Sequence, residues 1–126
     1  MTKRARLWDG VRDGHPYFEE GHPLEEDGDR RERLLEYLRG GHIVLATRTL
    51  LPDRLVDDEQ GRVPLIYYTD GDWIWTEEHI YYLENYGMLP ESGFADHIDH
   101  QGQVPEVDEA RLDEAEEAVR GGGSRQ

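Results

Sequence analysis

One turn signal, Thr69-Asp70-Gly71-Asp72, stands between two runs that read as strands, Val63-Pro64-Leu65-Ile66-Tyr67-Tyr68 and Trp73-Ile74-Trp75. Asp-Gly in that setting predicts an antiparallel hairpin closed by a type I′ turn, because both central residues of such a turn take positive φ. Alternation along the second strand puts Trp73 and Trp75 on one face and Ile74 on the other. Both faces are therefore apolar, and other elements must cover both.

The flanking sequence supplies candidates. Asp29 can cap a helix, Glu32 completes a capping-box spacing, and Leu34, Leu35 and Leu38 form one apolar face that stops at Gly40-Gly41, so residues 30–39 are expected as helix. The β-branched run from His42 to Leu51 reads as a strand, and its near-continuous apolar start suggests a central one. Pro52 closes it, and Asp53 to Gly61 reads as a polar loop. After the hairpin, Thr76 can cap a helix in which Glu77 and Glu78 suit the positive N-terminal end. There Ile80, Leu83 and Tyr86 form a stripe, widened by Tyr81 and Tyr82 and stopped by Gly87. Pro90 can open a short helical segment with Phe94 and Ile98 one turn apart. Asp108 caps a last helix with Val107 and Leu112 at staple spacing and a thin apolar line of Leu112, Ala115 and Val119.

These elements predict an α+β fold, a small antiparallel sheet of about three strands with a central hairpin, packed by three to four short helices. Residues 1–28, rich in Gly, Pro, Asp and Glu, are expected as an extended arm or loop whose aromatics pin it to the body. Residues 29–120 form the domain, and 121–126 a flexible tail.

Length and charge bound the function. A chain of 126 residues makes one compact domain at most. Without cysteine there is no disulfide, thiolate nucleophile or Cys-ligated zinc. No run approaches the roughly 20 apolar residues of a membrane span, and Met1-Thr2-Lys3-Arg4 is not followed by a signal-peptide stretch, so a cytoplasmic location is expected. With 29 acidic residues against 14 basic ones, the net charge of −15 argues against direct nucleic-acid binding, which rests on Lys and Arg neutralising phosphates. The charge is uneven: residues 1–14 carry four basic side chains against two acidic ones, whereas residues 77–126 hold 13 acids against three arginines. Such asymmetry points to an electrostatic interaction surface.

Catalytic constellations are sparse. His97 and His100 have a helical spacing that brings two imidazoles to one metal, yet zinc sites want three or four ligands, and solvent-exposed histidines on a short helix are the plainer reading. Paired carboxylates occur throughout so acidic a chain; Asp70 and Asp72 fit turn roles, and Glu77 and Glu78 fit a first helical turn. Ser92 and Ser124 lie in no Gly-x-Ser-x-Gly elbow, and no phosphate-cradling glycine loop is present. No cofactor or metal is implied. The seven aromatics between Tyr67 and Tyr86 serve as core for the tryptophans and as core or binding platform for the tyrosines.

The stretch from Val63 to Ile98, with Thr-Asp-Gly-Asp-Trp-Ile-Trp, then Tyr-Tyr-Leu-Glu-Asn-Tyr-Gly and a final His-Ile, resembles small immunity and toxin-associated domains of polymorphic toxin systems in GC-rich bacteria. With His42 to Leu51 the resemblance covers about 55 residues and carries no catalytic residue. It implies a protein that neutralises a toxin, especially a nucleic-acid deaminase. Joined to the acidity, this gives the leading expectation: a non-enzymatic acidic binding protein, an immunity-type inhibitor of a basic partner such as a nuclease or deaminase toxin. Carboxylates would stand in for phosphates in the partner's cleft and speed association. The expected contact residues are Asp70, Asp72, Glu77, Glu78, Glu84, Asp96 and Asp99, with Trp73 or Tyr82 as an anchor. Two other readings stand beside it: an assembly module tethered by the N-terminal arm, and a small metal-dependent enzyme using His97 and His100. A free hairpin edge would also permit a homodimer.

Overall fold

A computed structural model describes residues 2–56 and 60–124. In chain order the elements are β1 (Lys3–Arg4), β2 (Gly10–Arg12), β3 (His15–Tyr17), α1 (Gly28–Arg39), β4 (His42–Pro52), β5 (Gly61–Thr69), β6 (Trp73–Thr76), α2 (Glu77–Tyr86), α3 (Ser92–Gln101) and α4 (Glu109–Ser124). Four strands form a mixed sheet in the order β1-β6-β5-β4, and β2 and β3 form a separate small hairpin. The class is α+β, with a sheet slightly larger than predicted. Among the described residues no helix is long and apolar enough to cross a membrane.

The central hairpin is β5 and β6, paired Tyr67↔Thr76, Tyr68↔Trp75 and Thr69↔Ile74. Its two faces are covered separately, as the alternation requires. On one face Trp75 is buried among Leu34, Leu38, Tyr68 and Phe94, beneath α1, α2 and α3, with Trp73 packed at the edge of that cluster. On the other, Ile74 meets Ala115 and Val119 of α4. Burial of one large apolar side chain stabilises by about 1.5–3 kcal/mol, so Trp75 and Phe94, both essentially inaccessible to solvent, anchor the first layer. The Trp75 indole N–H also donates to the Leu38 carbonyl at 3.0 Å.

Four details correct the sequence reading. The hairpin turn is not type I′. β5 ends at Thr69 and β6 begins at Trp73, so three residues form the loop, and among them only Gly71 takes positive φ, at 98°. The Asp70 side chain accepts from the Asp72 and Trp73 amides at 2.9 and 2.8 Å, which closes the turn without a left-handed aspartate. The cap of α1 is Asp27, two residues before Asp29, and its carboxylate accepts from the Asp29 and Arg30 amides. The third helix begins at Ser92 behind Glu91 rather than at Pro90. Finally, β4 is an edge strand: its apolar start faces α4 through Val44 and Leu45, while Ile43 is exposed. Between Ala46↔Ile66 and Leu50↔Pro64, β4 advances four residues to two on β5, and the Thr47 hydroxyl donates to the Leu65 carbonyl inside that bulge. Bulges of this kind blunt a sheet edge against pairing with another chain.

Residues 2–28 are joined to the body, through their aromatics as expected and also through a short strand. β1 adds to the sheet in parallel with β6, Leu7 is buried, and Trp8 and Phe18 pack on the Tyr82 ring at 5.1 and 5.2 Å between centroids. At the other end, Asp108 caps α4 by accepting from the Arg111 amide at 2.9 Å. That helix continues through the expected tail to Ser124, and Arg125 and Gln126 lie outside the described residues.

Candidate partner-binding surface

Two buried carboxylates fix the framework. Asp70, 1% exposed, accepts from the Tyr37 hydroxyl at 2.5 Å and lies 2.8 Å from His97 Nε2, in addition to its two turn amides. It therefore ties α1 and α3 to the hairpin tip. Burial pushes its carboxyl up, but the hydrogen bonds from Tyr37, Trp73, Asp72 and His97 outweigh this and hold it below the ordinary aspartate value. The second is Asp53, also 1% exposed, in the segment expected as a polar loop. It accepts from the Tyr81 and Tyr86 hydroxyls at 2.7 and 2.6 Å and from the Leu55 amide at 2.8 Å. Burial raises its carboxyl too, and the two tyrosines, the amide and Arg62 bring it below the ordinary value. Beside it, the Arg54 amide donates to the Tyr82 hydroxyl at 2.8 Å.

The expected contact residues divide accordingly. Asp70 and Tyr82 are inside the molecule and offer nothing to a partner: the turn and its two cross-links consume one, and the other is 0% exposed beneath Trp8 and Phe18. Trp73 is half-buried against Phe94, with the Lys3 ammonium 5.3 Å above its ring. Glu77 accepts from the Tyr68 hydroxyl at 2.6 Å. Glu78 is half-buried, and burial raises its carboxyl against the opposing pull of Arg54. Asp72, Glu84 and Asp99 are exposed but already paired with Arg111, Arg39 and Arg30. Asp96 is exposed and has no side-chain partner among the described residues. The structure gathers Asp70, Asp72, Trp73 and α3 around the hairpin tip through His97; Glu84 bridges to α1 instead.

His97 and His100 do not converge. His97 is bound to Asp70, His100 is exposed, and among the described residues no group of three or more His, Asp or Glu side chains is arranged to hold a metal ion.

A different acidic surface emerges along the C-terminal third. Glu106, Glu109, Asp113 and Glu117 are exposed, and among the described residues no side chain pairs with them. Glu109, Asp113 and Glu117 recur every four positions on α4 and so share one stripe. Two recesses, of about 400 and 460 Å³, flank the segment that leads into this helix. The first is lined by Glu36, Tyr37 and Val104 among others, the second by His42, Glu106, Val107, Asp108 and Arg111. His42 Nε2 lies 3.1 Å from the Pro105 carbonyl and holds the segment between them. Composition alone announced acid-rich residues 77–126, but internal pairing decided which acids were left outward, and pairing is a property of the fold.

Comparison with known proteins gives no family model that matches this chain, no similar curated protein and no similar solved structure.

Proposed function

We propose that this protein is a non-enzymatic binding module whose acidic surface captures a basic protein partner, in the manner of an immunity protein that neutralises a nuclease or deaminase toxin. One observation carries the reading: the unpaired carboxylate stripe of α4 with its lead-in, beside recesses edged by Glu36, Glu106 and Asp108. Like charges four apart on a helix destabilise it by about 0.2–0.5 kcal/mol per pair. The stripe is thus held against the interest of the isolated fold, and a cationic partner relieves that repulsion. The surrounding negative field steers the approach of a cationic partner. Asp72 on the hairpin, Glu84 on α2 and Asp99 on α3, expected to make this contact, contribute less, since each already has an internal arginine partner.

The test mixes the protein with the product of the neighbouring gene and measures association rate across a salt series. A complex is expected, with a rate that falls steeply as salt rises. The triple variant Glu109→Lys, Asp113→Lys, Glu117→Lys should slow association about tenfold or more and flatten the salt dependence, whereas Asp72→Asn should change it little. Absence of a complex at every salt concentration, or a complex indifferent to the triple variant, rejects the reading.

A further inference from the structure

The acids that dominate this chain are missing from one stretch of its surface. Nearly one residue in four is Asp or Glu, yet β4 and β5 carry none, and their only formally charged side chains are Arg48 and Arg62. Apolar groups stand there instead. Of the seven large apolar side chains that are exposed among the described residues, Ile43, Leu50, Leu55 and Val56 lie on β4 or just past its end, with Ile43 61% and Leu50 56% exposed.

The pairing register gathers them on one side. Residues opposite one another in an antiparallel pair share a face, and the pairs Ile43↔Tyr68, Ala46↔Ile66 and Leu50↔Pro64 follow the alternation along β5. Tyr68 is buried in the helical core and Ile66 packs at its margin. Beyond that margin Ala46, Leu50 and Pro64 are exposed, as is Ile43. The other face of β4 is taken by α4, against which Val44 and Leu45 pack. Half of a two-stranded ribbon is thus left apolar and uncovered.

Charge decides what can lie on it. A basic protein gains nothing from a surface without carboxylates and is repelled by Arg48, which is exposed and closes no ion pair among the described residues. A second copy of this chain, with its net charge of −15, is instead drawn toward Arg48. Contact through a face that brings no acid from either molecule also avoids the like-charge repulsion that the acid-rich C-terminal third would impose. An apolar face is self-complementary, as a two-fold contact requires. The bulge in β4 hinders pairing along the strand edge but leaves the face open.

We propose that this protein self-associates as a two-fold dimer in which the exposed face of β4 and β5 packs against the same face of a second copy. Eleven residues of β4, rising about 3.3 Å each, and two strands spanning about 10 Å give a face of about 360 Å², below the about 800 Å² per partner of a standard interface. The dimer is therefore weak, with a Kd of about 100 µM. Because α4 covers the opposite face, its acidic stripe stays free in the dimer, and self-association does not depend on capture of a basic partner.

Sedimentation equilibrium of the full chain from about 10 µM to 1 mM, at about 0.15 and 0.5 M sodium chloride, tests this, with two-dimensional NMR over the same concentrations. A monomer–dimer equilibrium is expected that tightens at the higher salt, where repulsion between the two acidic bodies is screened, with concentration-dependent shifts centred on β4 and β5. Leu50→Glu and Ile43→Glu alter exposed side chains and place acids on the face; each should weaken the dimer about tenfold or more. Val11→Glu, equally exposed but on β2, should leave it unchanged. Should one ribbon variant fail to fold, the other decides. A monomer at every concentration, a dimer indifferent to the ribbon variants, one lost in Val11→Glu, or one that dissociates as salt rises overturns the assignment. So do ribbon resonances that are fixed on concentration and shift only when the neighbouring gene's product is added.

Discussion

At the scale of single residues, a few polar groups with no access to water make the fold sensitive to substitution. Asp70 receives two side chains and two backbone amides, so Asp70→Ala strips partners from all four and opens the turn. We expect a loss of about 3–5 kcal/mol, the range for breaking a buried charged network, read as a lower urea midpoint with an unchanged slope. His79 gives the opposite kind of sensitivity. Burial holds its imidazole down at about 4, despite the neighbouring Ala5 and Thr76 backbone groups. In the unfolded chain it takes up a proton near its ordinary value of about 6.5. Between those values the unfolded state binds the extra proton, so stability rises with pH through this window and is lost as pH falls through it. The slope reaches at most about 1.4 kcal/mol per pH unit. Denaturation at a series of pH values should show it, and His79→Asn should flatten it. Below that window the depressed carboxyls of Asp53 and Asp70 add further acid sensitivity of the same sign. None of these roles was legible residue by residue: Asp70 read correctly as a turn former, but its bonds to Tyr37 and His97 come from residues 33 and 27 positions away.

Elements were legible where their cause is local. The hairpin, the cap of α2 at Thr76 and the Leu34-Leu35-Leu38 face depend on residues within a turn or two of one another, and these features stand in the structure. Position in the sheet depends instead on which strands meet. The apolar start of β4 suggested a central strand because a helix covering one face and a strand on each side produce the same run of hydrophobic residues. Likewise β1 has only two residues and becomes a strand solely through β6. The helix-to-strand joint between α1 and β4 offers a sharp test of element packing. A Cβ added at Gly41 would sit 2.4 Å from Trp75 Cζ2 and 3.0 Å from Tyr68 Cβ. Both neighbours are held in the core, so Gly41→Ala should cost about 1–3 kcal/mol by overpacking. Thermal or urea unfolding measures it. By contrast, a Cβ at Gly21 meets nothing within 4 Å, and Gly21→Ala should be close to neutral in the same assay.

On the scale of the whole molecule, a net charge of −15 over 126 residues works against the compact state. Added salt screens this repulsion more than it weakens the few exposed arginine pairs, so Tm should rise by about 4 °C or more between low salt and about 0.5 M sodium chloride, equivalent to about 1 kcal/mol. Calorimetry gives the answer directly; a falling Tm would mean that the ion pairs outweigh the repulsion. Total charge was readable from composition, but its outward distribution was not. Arginines from α1 and α4 cancel acids on the hairpin and on α2 and α3, while Glu109, Asp113 and Glu117 of the C-terminal helix stay exposed. The parallel pairing of β1 with β6 also sets an order of events at the ribosome. Lys3 and Arg4 are synthesised some 70 residues before their partners Trp73 and Ile74, and Trp8 and Phe18 some 74 and 64 residues before the Tyr82 ring. Until α2 has emerged, the nascent chain presents those aromatics uncovered to the cell's chaperones, and translation pauses before that point lengthen its period of risk.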